Sequence, residues 1–248
     1  MTLLRRITAI HRYALGFLLL YCTSSAAHAD SVENFDATYR IKRAGLTLGS
    51  TRLSYRSTPD GRYTYNSTSG VGGFLSWLRK EHVRESSHGI MSAGRIRPDE
   101  YNFHRTGDRG NRVARVSFDW HNNRAVNTVD GKAWRMDIQP GTLDKLVVQI
   151  AIMQQLGTGP SDLEFSIADG GRPKRYSISI HGEETVDVPA GEFDTIMIEQ
   201  QAENMQRRTI LWAAPSLDYL PVKIMREESS GAVYYSVLES VSLSGRER

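Results

Sequence analysis

A chain of 248 residues, 40% of them apolar and 24% charged, is long enough to bury a full core without covalent staples. Its formal charge of +3 is local: Arg5, Arg6 and Arg12 lie in the first 29 positions, which carry no acid, and the rest balances 28 basic residues against 28 acidic ones. Bulk charge therefore gives no route to nucleic acid or an anionic membrane, and a lone cysteine, Cys22, excludes an intrachain disulfide or a thiolate metal site.

The chain opens on a secretory leader. Three arginines precede a short apolar run from Tyr13 to Tyr21, and Ala27-His28-Ala29 supplies an A-x-A cleavage site. The run is far below the ~20 residues that cross a bilayer as a helix. Cleavage after Ala29 is expected, leaving 30–248 as one exported, periplasmic domain with no integral membrane span. Cys22 goes with the leader. A lipoprotein signal wants a small residue before its cysteine, and Tyr21 stands there.

From Phe35 onward, apolar and polar residues alternate in the manner of half-buried strands. Phe35, Ala37, Tyr39 and Ile41 share one side, followed by Leu46 and Leu48, then Leu53 and Tyr55. Pro59-Asp60-Gly61 marks a turn, because proline presets φ and glycine permits positive φ. Tyr63 and Tyr65 open the next strand, and Tyr101 and Phe103 another. Val116, Phe118 and Trp120 lead to a turn at His121-Asn122-Asn123; Val126 and Thr128 lead to one at Asp130-Gly131; Trp134, Met136 and Ile138 follow. Later strands carry Leu163 to Ile167, Tyr176 to Ile180, Val186 and Val188, Phe193 to Ile198, Ile210 and Trp212, Val222 and Ile224, and Val233 to Val237.

The links are mostly too short for parallel crossovers, so neighbours run antiparallel. The expected fold is mainly β: one antiparallel meander of roughly a dozen strands, curled into a barrel or half-barrel. One segment departs from the pattern. Residues 141–157 read as a helix, with Thr142 as cap, Asp144 in the first turn and Gly157 at the end. Leu143, Leu146, Val147, Ile150 and Met153 form one stripe, while Val148 and Ile152 lie opposite. A helix apolar on more than one face is buried, so it packs on the concave face or across the mouth of the curl.

Two stretches invite a functional reading. Gly70 to Lys80 crowds Phe74, Leu75, Trp77 and Leu78 into a segment without alternation. A loop with that much apolar area tucks over the core or meets something else. Ile210 to Glu228 places Pro215 and Pro221 between two strand-like runs. Proline donates nothing to a ladder, so these belong at a loop and a strand start, with Leu217 and Leu220 folding back on the core.

Three phrases together resemble one exported bacterial family, domain of unknown function 3108. Tyr39 to Gly49 is similar to its opening hairpin, and Val186 to Thr195 to its Pro-Ala-Gly turn phrase. Trp212, Pro215 and the Leu220-Pro221-Val222 step are similar to its closing hairpin. The resemblance spans about Phe35 to Leu243. It implies an exported β-rich protein and carries no activity or site residues.

No chemical motif stands out. His82, His88, His104, His121 and His181 match no metal-ligand spacing, and no GxSxG elbow follows the leader. Gly70-Val71-Gly72-Gly73 is not a dinucleotide fingerprint. Glu183-Glu184 and Glu227-Glu228 are adjacent strand residues that face opposite sides and read as solvated ends; so does the basic turn at Arg172 to Arg175. No catalytic residue, metal site or cofactor is expected. The expected ligand-binding residues are Phe74, Leu75, Trp77 and Leu78 of the loop and Val148 and Ile152 of the helix. The leading reading is a non-catalytic module for a lipid or other apolar molecule. The alternative is a cell-envelope interaction or assembly factor that holds a protein partner through the same loop or a sheet edge, and an enzyme stands third.

Overall fold

The computed structural model describes residues 32–72, 81–92, 94–108, 110–159, 161–203 and 207–244. Among them, 14 strands form one antiparallel sheet. The first run is β1 (Phe35–Arg43), β2 (Leu46–Ser57), β3 (Arg62–Val71), β4 (Glu81–Ser92), β5 (Arg95–Gly107), β6 (Arg112–Asp119), β7 (Arg124–Val129) and β8 (Lys132–Asp137). The second is β9 (Leu163–Asp169), β10 (Arg172–Val188), β11 (Gly191–Ala202), β12 (Arg208–Ala214), β13 (Leu220–Glu227) and β14 (Val233–Leu243). Each run is a meander, and the two join where β1 pairs with β14. The sheet thus has two wings, with β8 and β9 at its opposite edges.

The predicted turns supply the positive φ that tight hairpins demand. Asp130 and Gly131 stand at φ 47° and 83°, and Asn123 at 51°. Pro215–Leu217 form a single 3-10 turn, with Leu217 and Leu220 buried beneath it. The two prolines therefore serve a strand connection, as expected.

Register sorts the side chains. Phe35, Ala37 and Tyr39 face inward opposite Tyr55, Leu53 and Thr51, and Tyr55 lies opposite Tyr65. Phe35, Tyr55 and Tyr65 pack ring on ring, with centroids 5.8 to 6.1 Å apart. Each buried ring contributes roughly 1.5–3 kcal/mol through area removed from water. The second wing fills its interior with Ile178, Ile198, Leu211, Leu220 and Val222. One continuous core cluster spans both wings.

The helix α1 (Val148–Thr158) belongs to the segment that carries the chain from β8 to the far edge at β9. It is shorter than the predicted 141–157 and starts later. Leu143 is drawn into a parallel bridge with Ile167 on the β9 edge, so residues around it stay extended. Thr142 caps no helix. Its hydroxyl donates to Ser166 at 3.3 Å and accepts from the Gln139 amide. The cap on the turn before α1 is Asp144, which accepts from the amides of Leu146 and Val147 at 2.8 and 2.9 Å. Gly157 lies inside the last turn, and Gly159, at φ 134°, ends it.

Seven of the 11 helix residues are buried, including Val148 and Ile152, so α1 sits inside the curl and not on a wet surface. Gln154 donates to the Met91 sulfur of β4, and Gly157 lies against the Tyr219 ring before β13. The sheet is not closed by strand pairing. Asn127 of β7 instead donates to the Gly170 carbonyl in the β9–β10 turn at 2.7 Å, and Lys145 meets Asp169 at 3.2 Å.

Candidate functional site

Polar chemistry concentrates in the interior of the first wing. Strand β4 turns Val83, Glu85, Ser87 and Gly89 inward, opposite Ser69, Ser67, Tyr65 and Tyr63 of β3. Gly89 is obligatory there: a Cβ would stand 2.2 Å from the Arg97 carbonyl oxygen and 2.9 Å from the Tyr63 ring. This strand escapes hydrophobic alternation, because three of these four inward residues, Glu85, Ser87 and Gly89, are small or polar.

Ser87 and Asp144 are both 0% exposed. The Ser87 hydroxyl donates to Asp144 Oδ2 at 2.6 Å, so the Tyr63 hydroxyl, 3.0 Å away, donates to Ser87 Oγ. Burial pushes the Asp144 carboxyl up to about 6, against the pull of Ser87 and the two amides. A nucleophilic serine needs a base and an open approach. Ser87 has a committed proton and no exposed surface, so the pair clamps the start of the helix segment to β4.

Beside the clamp, Tyr101 donates to Glu85 Oε1 at 2.6 Å. Burial, and then the Glu85 carboxylate, push the Tyr101 hydroxyl far above its ordinary value. Lys145 lies 5.8 Å over the Tyr101 ring. Burial raises Asp169, but Lys145 and Lys174 outweigh it and hold its carboxyl below the usual range. Lys174 contacts Asp169 at 2.7 Å, so the basic stretch at 172–175 is in part an ion-paired strand and not only a solvated turn.

Not every inward polar atom is satisfied. Tyr65 Oη, Arg105 Nε and Gln149 Nε2 are buried without a hydrogen-bond partner among the described residues. Such an atom costs about 1–3 kcal/mol unless something meets it, and native interiors hold few of them. Tyr65 lies within electrostatic reach of Tyr39 and Glu85, and burial drives its hydroxyl well above the ordinary value. Arg105 shares a cross-strand row with Val83 and Ser69. Half-buried Ile41, Val83 and Phe103 accompany it on the inward side.

The expected loop residues Phe74, Leu75, Trp77 and Leu78 lie outside the described residues. Val148 and Ile152, 5% and 3% exposed, are packed in the interior core. Sequence reasoning missed Tyr65, Glu85, Ser87, Arg105 and Asp144 as a group. The available signal was the stretch 81–92, long enough for a strand yet lacking apolar alternation. Glu184, read as a solvated end, accepts the indole N–H of Trp212 at 2.7 Å, while Lys223 lies 4.2 Å over that ring. Among the described residues no group of three His, Cys, Asp or Glu side chains is placed to hold a metal, and no helix is long and apolar enough to cross a membrane.

A family model described as "Protein of unknown function (DUF3108)" matches residues 34–237. No curated protein matches the chain. Among solved structures, a β-barrel-like protein of domain of unknown function DUF1849 from Brucella abortus superposes with a TM-score of 0.58 at 8% identity, covering 87% of this chain and 100% of its own. A candidate exported protein with a YmcC-like fold from Bacteroides fragilis has a TM-score of 0.36 and 13% identity, covering 86% and 97%. A candidate lipoprotein from Parabacteroides distasonis has a TM-score of 0.33 and 10% identity, covering 86% and 96%. At 8% identity the first similarity speaks for the fold alone.

Proposed function

The chain belongs to the DUF3108 family of unknown function, and we propose that it is an exported, non-catalytic binding module holding a lipid or other apolar molecule inside its curled sheet. The observation that carries this reading is that Tyr65, Arg105 and Gln149 each bury a polar atom without a hydrogen-bond partner among the described residues. Ligand sites share that pattern: mostly apolar walls with a few polar groups that fix one end of the guest. The hydroxyl and the guanidinium N–H suit a polar or acidic head, and Ile41, Val83 and Phe103 suit an apolar body.

Export rests on the leader. Intact-mass measurement of the processed protein is expected to give a chain starting at Asp30, and a mass that includes Met1 contradicts it. For the ligand, the test is native mass spectrometry of protein purified from its own cells without detergent. An adduct that organic solvent extracts is expected. Protein that is empty after gentle purification counts against the reading.

The alternative, an envelope assembly factor, draws on the sheet edge at β8, where Trp134 is 45% exposed. That edge is short and carries Lys132, Arg135 and Asp137, the charges that natural sheets use to prevent strand addition. The ligand reading is therefore preferred. Crosslinking in cells that traps a protein partner on Trp134 reverses the order.

A further inference from the structure

The outward face of β1–β4 carries a second feature, on the other side of the sheet from the proposed ligand. An open groove of about 250 Å³ is lined by Thr38, Ser50, Arg52, Thr68, Gly70 and His82, and it also touches Ser69 and Val71. That volume is below the roughly 300–1,000 Å³ of drug-sized ligand sites, so the groove suits a small group. Gly70 keeps its floor low: a Cβ there would come within 3.0 Å of His82 Nδ1 and push the imidazole out of place.

Charge on this face is arranged unevenly. Its carboxylates are taken by other arginines: Asp36 by Arg56, Glu239 by Arg40 and Glu100 by Arg115. Arg52 reaches Asp36 only as a weaker, longer-range influence behind Arg56. Arg52, Thr68, Arg84 and His104 form one cross-strand row, and neither Arg52 nor Arg84 has an ion pair among the described residues. The two arginines are two strands apart, roughly 9–10 Å along the row, with the Thr68 hydroxyl between them. Like charges on one sheet face repel, and an anion seated over Thr68 relieves that repulsion. A guanidinium fork matches the oxygens of a phosphate or carboxylate. The zero net charge beyond the leader thus conceals a local cationic site.

We propose that this groove binds a small oxyanion, a phosphate group, through Arg52 and His82 with hydroxyl donors from Ser50 and Thr68, and with Arg84 beside it on the same row. Its source is inorganic phosphate or the phosphate of a lipid headgroup. The test uses the full exported chain, ¹⁵N-labelled, titrated with inorganic phosphate at constant ionic strength, and sedimented in parallel with phosphatidylglycerol or phosphatidylcholine vesicles. Saturable amide shifts are expected at Ser50, Arg52, Thr68 and Gly70. Arg52→Gln is expected to weaken binding about tenfold or more, the scale of a lost charge-assisted hydrogen bond. Arg135→Gln removes an equal charge from an exposed position on β8 and is expected to leave binding unchanged. Phosphate binding together with Arg52-dependent capture by phosphatidylglycerol vesicles identifies a headgroup site; phosphate binding alone identifies a free-anion site. Either supports the proposal. Shifts that never saturate, or equal losses in the two variants, overturn it. Because Arg52, Thr68 and Arg84 face outward and Tyr65 and Arg105 inward, failure here leaves the ligand reading untouched.

Discussion

The wing from β1 to β8 buries Tyr39, Tyr55, Tyr63, Tyr65 and Tyr101, whereas the wing from β9 to β14 fills its interior with Ile178, Ile198, Leu211, Leu220 and Val222. Both exclude water from one continuous core, but the first must find partners for five phenolic hydroxyls, whereas the second buries the Thr195 hydroxyl, which donates to the Glu184 carbonyl. Tyr39 donates to the Pro221 carbonyl at 2.8 Å, across to the other wing. Tyr63 and Tyr101 use Ser87 and Glu85. Tyr55 has the Met91 sulfur, a weak acceptor at 4.0 Å, and Tyr65 has none. The aliphatic wing is thus a wall, and the tyrosine wing is the side on which a guest can be read.

If that division is right, truncation in the aliphatic wing has the largest effect on stability and none specific to a ligand. Ile198→Ala empties a fully buried site and is expected to cost about 2–5 kcal/mol. Urea unfolding with an unchanged m-value checks it. In the tyrosine wing, Asp144→Ala leaves two amides and the Ser87 hydroxyl without their acceptor, an expected loss of about 3 kcal/mol. Asp144→Asn keeps an oxygen for the amides, and a cost of about 1 kcal/mol or less is expected in the same assay near pH 4, where the folded carboxyl is protonated.

The buried carboxyl also sharpens the comparison through pH. Its folded value of about 6 stands above the ordinary 3.8. Its contribution to stability is therefore full below the unfolded value and is lost as pH rises through about 6. Paired unfolding curves near pH 4 and pH 7 are expected to show the native chain losing stability relative to Asp144→Asn, by something on the order of 3 kcal/mol. A native chain that gains on the variant over that range contradicts the assignment. The smallest effect separates two tyrosines. Tyr39→Phe orphans the Pro221 carbonyl and is expected to cost about 1 kcal/mol. Tyr65→Phe removes a hydroxyl that has no partner, so no loss is expected in ligand-free protein. Equal costs for the pair break the distinction.

Much of this fold was legible because its strands follow a simple rule. Phe35, Ala37 and Tyr39, or Val116 and Phe118, alternate as half-buried strands must, and Asp130-Gly131 and Asn123 supply the φ their hairpins need. Strand β4 was illegible for a physical reason. Its inward positions, Glu85, Ser87 and Gly89, are the polar interior itself, so no apolar period marks them. The start of α1 was misplaced because a tertiary contact, the Leu143–Ile167 bridge, overrides a local capping signal at Thr142. The clamp joins residues 57 positions apart, Ser87 and Asp144, and no local pattern announces such a pairing. The leader and the aromatic loop around Trp77 remain readings of sequence.

The central claim is that the tyrosine wing reads the polar end of an apolar guest. The most direct test is fluorescence titration with cis-parinaric acid, an apolar chain ending in a carboxylate. Saturable binding is expected in the native chain, weakened about tenfold or more by Arg105→Leu and by Tyr65→Phe and left intact by Ile198→Val in the opposite wing. Absence of binding, or binding equally indifferent to all three substitutions, contradicts it.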